Sequence, residues 1–227
     1  MERLEKDWNV YPVFHIDFSL TKYTTLFDLQ EQLNLFLLRC EKVYGAEKEE
    51  KTPAARLQGM IRRAYEQTGL PVVVLIDEYD VPMAKAHENG YYDDMVLLLR
   101  NMFGNVLKSN DSLAFAVLTG CLRIAKESIF TGLNNFKVYS ITDQEFDETF
   151  GFTDAEVKAM LQYYGLQNYF DVVREWYDGY RFGKADVYCP WDVVNYCSDH
   201  RKNPDVEMKN YWMNTSGNEV IRHLLTV

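Results

Sequence analysis

The stretch Val72-Val-Val-Leu-Ile-Asp77-Glu78-Tyr-Asp80 decides the fold of this chain. Its first five residues are apolar and four of them are β-branched, which is typical of a strand that is buried on both faces. Strands of this kind lie at the centre of parallel α/β sheets. The run ends in carboxylates, and open α/β sheets bind ligands at the carboxyl ends of their strands. The stretch therefore predicts a central strand that brings Asp77 and Glu78 to one edge of a sheet.

A hydrophobic strand followed by Asp-Glu has the form of a Walker B element. In that element the first acid reaches Mg²⁺, usually through water, and the second polarises the water that attacks a γ-phosphate. The alternative is a core strand that runs into a polar turn, because every strand must reach the surface somewhere. The pattern by itself favours neither interpretation.

Composition limits the classes of function. The 227 residues carry a net charge of -10, and a hydrophobic content of 47% indicates a globular core. An acidic chain repels a phosphate backbone, so the charge argues against binding to nucleic acid. The four cysteines lack metal-binding spacing, and no apolar run approaches the ~20 residues that span a bilayer. We therefore expect a cytoplasmic protein with no membrane segment.

Strand and helix patterns alternate along the first part of the chain, which predicts an α/β fold with a parallel sheet. Between the central strand and the next helix, residues 79–89 are expected to form an irregular polar loop. The expected elements are strands at 11–19, 72–76, 113–118 and 137–142, and helices at 24–44, 53–68 and 92–108.

The pattern changes after residue 150. A capping box, Thr153-Asp-Ala-Glu156, starts the first of several short helices, and residues 177–183 have the composition of a turn among aromatic residues. A short strand is expected at 187–190, so the pattern after residue 150 predicts small helices with a hairpin. We predict two domains, an α/β core at 1–150 and a small helical or winged-helix-like lobe at 151–227.

The strand that ends at Thr119 strengthens the Walker B interpretation. A Walker B strand followed by a sensor strand has this order, and the Thr119 hydroxyl would then sense the γ-phosphate or the attacking water. Arg123 follows, where a cation can stabilise phosphate charge. The alternatives are a helix-capping hydroxyl and a solvated helix face. No GxxxxGK[ST] loop, which holds the β- and γ-phosphates, occurs in the sequence, so we expect weak nucleotide binding.

Several segments carry a family resemblance. They are residues 11–19, 73–80, 118–126 with 128–135, 176–183 and 211–216. In this order they resemble consecutive signatures of the bacterial AAA-ATPase-like family. Members of this family usually begin with a P-loop region and often end with a PD-(D/E)XK nuclease-like domain. This sequence contains neither, so the resemblance implies the interior of a longer protein, with a P-loop ATPase-like core that lacks its first strand.

The resemblance implies roles for four residues. Asp77 is the Mg²⁺-associated acid, Glu78 polarises water, Thr119 is the sensor and contacts nucleotide with Asp77, and Arg123 faces phosphate. Mg²⁺ and ATP are the cofactors implied for the intact protein, and neither is expected to bind this chain tightly. Asp80 is expected to orient its neighbours.

The resemblance also implies a strand order. Residues 13–18, 72–76 and 113–118 should lie side by side in that order, parallel throughout. One edge of the last strand is then exposed, which invites pairing with residues 137–141 or with another chain. Self-association through this edge, and an unknown protein partner or missing domain, are the expected partners.

Two other functions compete with an ATPase domain. One is a non-catalytic interaction module that keeps the fold and binds protein through its aromatic C-terminal lobe. The other is a nuclease that uses Asp77, Glu78 and Asp80 on a metal ion. The nuclease is disfavoured because no strand carries the spaced acid and Glu-x-Lys pair that this chemistry requires.

Overall fold

Three parallel strands form the sheet of the N-terminal unit. The computed structural model describes residues 10–19, 23–121, 129–130, 136–202 and 207–212. It arranges β1 (Val13–Asp17), β2 (Val72–Asp77) and β3 (Leu113–Leu118) in the order β1-β2-β3, with both pairs parallel. The predicted strand order is confirmed, and β2 is the central strand.

Four helices accompany this sheet: α1 (Leu26–Tyr44), α2 (Pro53–Thr68), α3 (Val81–Asn89) and α4 (Tyr92–Leu107). The first begins with a capping box, in which the Thr25 hydroxyl accepts from the Asp28 amide at 3.3 Å and the Asp28 carboxylate accepts from the Thr25 amide at 2.8 Å. The second begins at Pro53 and is capped after Thr68 by Gly69, whose φ of 69° is readily adopted by glycine.

The core of this unit lies on one face of the sheet. Alternate residues of the strands point to this face and are buried against apolar residues of the helices. They are Phe14, Ile16, Val72, Val74 and Ile76. Full burial of one such side chain contributes about 1.5–3 kcal/mol, so this layer supplies much of the unit's stability. On the opposite face, Val13, Phe115 and Val117 are exposed.

A buried arginine joins the end of α1 to α2. Arg63 donates to both carboxylate oxygens of Glu50, at 2.6 and 2.9 Å, and to the carbonyls of Tyr44 and Gly45 at 3.1 and 2.9 Å. Glu50 reaches Arg63 across Gly59, where an added Cβ would lie 1.6 Å from Glu50 Oε1. The loop between the two helices is therefore held by charge-assisted hydrogen bonds that need a glycine on α2.

Three predictions of local structure are wrong. Residues 79–89 form no irregular loop, because Met83 and Ala86 are buried and anchor α3. Residues 137–142 form no strand, because the Asp143 carboxylate accepts a hydrogen bond from the Ser140 amide at 2.7 Å and closes a turn. Residues 177–183 are mostly strand, and only the last of them belongs to a turn.

The second unit, Lys137–Val227, combines short helices with a hairpin. Its elements are α5 (Asp154–Tyr163), a short 3-10 helix (Gln167–Tyr169), α6 (Phe170–Tyr177), β4 (Asp178–Phe182), β5 (Ala185–Tyr188) and α7 (Pro190–Lys202). The two strands pair antiparallel, and Val157, Val173, Tyr188 and Tyr196 are buried together. The winged-helix-like topology and the domain boundary at residue 150 stay predictions.

None of the helices in the described ranges combines the length with the apolar character that a membrane crossing requires.

We expect Tyr188→Phe to destabilise the second unit in a pH-dependent way. The buried Tyr188 hydroxyl donates to Asp154 Oδ1 at 2.6 Å, and this bond lowers the pKa of Asp154 below its ordinary 3.8. A lowered carboxyl pKa stabilises the fold above the unfolded value, and that contribution is lost as the pH falls through the folded value. The variant should lose about 1 kcal/mol at pH 7, measured by urea unfolding.

The matched control is Tyr163→Phe, which removes the hydroxyl of a tyrosine that is 84% exposed. This variant should unfold like the parent at every pH. The difference between Tyr188→Phe and the parent should shrink below pH 3.8. If the loss of unfolding free energy stayed constant down to pH 2, the hydrogen bond to Asp154 would not be its cause.

Candidate active site

Polar side chains from all three strands meet at the carboxyl edge of the sheet. Asp17 of β1 pairs in register with Asp77 of β2, and Thr119 directly follows β3. The Thr119 amide donates to the carbonyl of Ile76 at 2.9 Å, so Thr119 lies beside the end of β2. The edge therefore presents two carboxylates and a hydroxyl in a row.

Thr119 holds Asp77 from the side of β3. Its hydroxyl donates to Asp77 Oδ1, and its carbonyl accepts from the Tyr79 amide at 3.0 Å. The same hydroxyl oxygen lies 3.4 Å from the Glu78 amide. A single residue thus contacts three consecutive positions, the last of β2 and the two that follow it, and it orients one oxygen of Asp77.

Glu78 occupies a backbone conformation that is uncommon for residues other than glycine. Its φ is 55°, in the left-handed region, which costs on the order of 1–2 kcal/mol. The chain leaves the sheet at this residue, so the side chains of Asp77 and Glu78 do not continue the strict alternation of a strand. Both carboxylates lie beside residues 119–121, since the Cys121 thiol contacts Glu78 Oε2 at 3.9 Å.

The surroundings of Glu78 disfavour its charge. Burial raises the pKa of its carboxyl, and the negative charges of Asp80 and Asp77 raise it further. Burial and the charge of Glu78 also raise the pKa of the Cys121 thiol. By contrast, hydrogen bonds from Ser19 lower the pKa of Asp17. The carboxylates at this edge therefore differ in basicity, and Glu78 is a carboxyl whose proton affinity is increased.

Asp80 and Gly120 pack too closely for any larger residue at position 120. Asp80 is 2% exposed, and an added Cβ on Gly120 would lie 2.6 Å from Asp80 Oδ1 and 2.8 Å from Tyr79 Cε1. Gly120 therefore allows the segment after β3 to approach the turn after β2. This position, together with Asp17 and Cys121, is absent from the predicted site. The sequence does contain a signal for Gly120, because it directly follows the predicted strand and its terminal threonine.

The described residues bring together three of the four predicted site residues, Asp77, Glu78 and Thr119. Arg123 lies outside the described residues. Within the described ranges, no group of three or more His, Cys, Asp or Glu side chains is arranged to hold a metal ion. Mg²⁺ commonly binds through one or two carboxylates, with water and substrate phosphate as the other ligands, so a single acid such as Asp77 suits that ion.

We expect Glu78→Gln to stabilise the N-terminal unit at neutral pH. A raised carboxyl pKa means that the folded state prefers the protonated form, and this preference is lost as the pH rises through the folded value. Glutamine carries no charge at any pH, so its advantage should appear only above pH 4.5, the ordinary value for glutamate. The gain should be up to about 1 kcal/mol at pH 7, measured by chemical unfolding.

Glu31→Gln provides the control, because Glu31 is exposed on α1 and the substitution makes the same change in charge. It should leave the unfolding curve unchanged. If Glu78→Gln were no more stable than Glu31→Gln at pH 7, the burial and charge repulsion at Glu78 would not measurably reduce the free energy of unfolding.

Comparisons with known proteins assign the chain to a family. Residues 1–130 match the family model described as Predicted AAA-ATPase. The chain is also 29% identical, over 232 residues, to an uncharacterized protein in the vnfD 5' region of Azotobacter chroococcum mcd 1. That match covers 97% of this chain and 42% of the relative, so the chain spans less than half of the relative's length. No solved structure matches. Because the family model covers more than half of the sequence, the chain belongs to the Predicted AAA-ATPase family.

Proposed function

We propose that this chain supplies the metal-binding and water-activating part of an ATP-hydrolysing site. One observation carries the proposal: Thr119 holds Asp77 beside Glu78 at the carboxyl edge of a parallel sheet, in a member of the Predicted AAA-ATPase family. Phosphoryl transfer requires little covalent chemistry from the protein, so positioned carboxylates and hydroxyls are the groups that it needs.

Asp77 would hold Mg²⁺, either directly or through a bound water. The Thr119 hydroxyl donates to Oδ1 and orients the carboxylate. In this proposal Oδ2 is the oxygen that faces the ion. A carboxylate oxygen is the ligand type that Mg²⁺ prefers. When bound with ATP, the ion neutralises charge on the β- and γ-phosphates. In this proposal the chain supplies the Asp77 carboxylate as one ligand of the ion and fixes its orientation.

Glu78 would position and polarise the attacking water. Burial and the neighbouring charges of Asp80 and Asp77 raise the pKa of its carboxyl, which makes Glu78 a stronger base than an ordinary glutamate. The left-handed backbone at this residue turns its carboxylate away from the path of the strand. We further propose that Thr119 senses phosphate or water through its hydroxyl, and that Arg123 faces phosphate.

The phosphate-binding part of the site is expected outside the residues of this chain. No GxxxxGK[ST] sequence occurs among the 227 residues. In proteins that have such a loop, its backbone amides and lysine make most of the contacts with the β- and γ-phosphates. ATP hydrolysis is therefore proposed for a protein that combines this chain with such a loop.

A second candidate is a non-catalytic interaction module. The observation in its favour is that the second unit exposes several large aromatic side chains, among them Tyr163, Trp176 and Trp191. Aromatic residues are enriched at the centres of protein interfaces, where they bury much apolar area. In this alternative the carboxylates at the end of β2 would serve only the turn that they help to form.

We expect this chain alone to bind Mg-ATP weakly, with a dissociation constant larger than about 100 µM. Mg²⁺ takes phosphate oxygens as ligands, and this chain has no GxxxxGK[ST] loop to hold the phosphates. Isothermal titration calorimetry measures this directly. Titration with Mg²⁺ in the absence of nucleotide is the control for binding of the ion itself. Affinity in the low micromolar range would mean that these residues hold the phosphates by other means.

In a longer form of the protein that includes a phosphate-binding loop, we expect Glu78→Gln to lower ATP turnover by roughly 10²-fold or more, as the loss of a general base does. Nucleotide affinity should be nearly unchanged, because the shape of the side chain is kept. Asp77→Ala should instead weaken binding only in the presence of Mg²⁺. Steady-state hydrolysis and nucleotide titration separate the two effects.

Turnover of the Glu78→Gln protein at the parent rate would refute the catalytic assignment and favour the interaction module. Glu31→Gln, on the exposed side of α1, is the matched control and should hydrolyse ATP like the parent.

A further inference from the structure

The Glu78 carboxylate contacts the thiol of a cysteine that comes from the neighbouring strand end. The sulfur of Cys121 lies 4.0 Å from Glu78 Oε1 and 3.9 Å from Oε2, so the thiol faces both oxygens. Among the described residues, no other group donates a hydrogen bond to this carboxylate. The thiol is therefore the described group that restricts where the carboxylate points.

One segment of chain holds both acids at the end of β2. Thr119 donates to Asp77 Oδ1, and Cys121, two positions later, donates to Glu78. Gly120 lies between the two donors and allows their close approach, because an added Cβ there would lie 2.6 Å from the nearest side-chain atom of the turn after β2. A hydroxyl thus holds the first acid and a thiol holds the second, from the same side of the sheet edge.

The thiol can donate a hydrogen bond only while it carries its proton. Burial and the charge of Glu78 raise the pKa of the Cys121 thiol above its ordinary 9.0. At neutral pH this cysteine is therefore a neutral S–H group, which attracts a carboxylate, whereas a thiolate would repel it. The surroundings of Cys121 favour a hydrogen-bond donor and disfavour a reactive nucleophile.

We propose that Cys121 is a positioning residue for Glu78. The proposal rests on the function proposed above, in which Glu78 orients and polarises the attacking water. A glutamate side chain rotates about several bonds, and a base is effective only when it is held close to its productive orientation. The thiol supplies that restraint from the β3 side. In this role Cys121 acts on the reaction only through Glu78.

A weak donor suits this role. A carboxylate accepts several hydrogen bonds at once, and S–H is a weak donor, so the contact leaves Glu78 able to accept a hydrogen bond from water. A cation at the same place would hold the carboxylate more firmly. It would also oppose the negative charge that polarises the water. The thiol therefore restrains the direction of the carboxylate and preserves its basicity.

The contact can be tested in the 227-residue chain without nucleotide. Iodoacetamide alkylates the thiolate form of cysteine, and mass spectrometry of the digested protein reports the rate at Cys121 separately from the rates at the other cysteines. Glu78→Gln removes a charge that opposes thiolate formation, so alkylation of Cys121 at about pH 8 should become about twofold faster or more. Glu31→Gln, which removes an exposed charge on α1, should leave the rate unchanged. Equal rates in the two variants would refute the contact and the proposal with it.

The positioning role is tested by ATP turnover in a longer form of the protein that includes a phosphate-binding loop. Cys121→Ala removes the donor and should lower kcat about threefold to tenfold, with the KM for ATP nearly unchanged because the phosphate contacts are kept. Cys121→Ser keeps a donor and should stay within about twofold of the parent. If the side chain served packing alone, the polar serine would be no better than alanine, and that result would contradict the proposal.

A double variant separates this inference from the proposed function. Cys121→Ala should cause no further loss of turnover in a Glu78→Gln background, because a positioning residue has no effect once the group that it positions is removed. Losses that multiply would overturn the positioning role and leave the proposed function intact. Parent-like turnover of Cys121→Ala, in a protein that loses turnover on Glu78→Gln, would do the same. Parent-like turnover of Glu78→Gln itself would refute the proposed function, and this inference would fail with it.

Discussion

The backbone hydrogen bonds on both sides of β2 are the constraint on which the rest of the structure depends. At its carboxyl end, Asp77 accepts from the Phe18 amide of the β1 side at 3.1 Å, and Ile76 accepts from the Thr119 amide of the β3 side at 2.9 Å. The end of the strand cannot move without breaking bonds to both neighbours. Asp77 is therefore fixed in the middle of the edge, where residues from all three strands reach it.

Much of the N-terminal unit follows from local sequence rules. The apolar run that predicted β2 forms that strand. The threonine caps of α1 and α2 and the glycine after α2 follow the known preferences of helix ends. The strand order came from the family resemblance and is also confirmed. In the site, the end of an apolar strand indicated Asp77, Glu78 and Thr119 as neighbours across the edge.

Other features depend on tertiary packing that single-sequence patterns do not contain. Residues 81–89 look polar, but burial of Met83 and Ala86 against the core makes them a helix. Residues 137–142 alternate like a strand, but no neighbouring strand pairs with them in the described structure. The Asp143 carboxylate accepts a hydrogen bond from the Ser140 amide and closes a turn. The proximity of Gly120 to Asp80 depends on how two loops approach each other. The uniformly apolar composition of β3 also conceals that one of its faces is exposed.

The turn after β2 concentrates several unfavourable features at one residue. Glu78 has a left-handed backbone, a partly buried carboxylate and two acidic neighbours in Asp77 and Asp80. A turn that served the fold alone would be more stable with glycine, which adopts this φ without strain, or with an uncharged side chain. The strands on both sides hold the turn in place and tolerate that cost. Strained and electrostatically opposed residues cluster at functional sites, where such features increase reactivity. The unfavourable chemistry of Glu78 therefore argues for a role in function, and a core strand that merely reaches the surface does not require it.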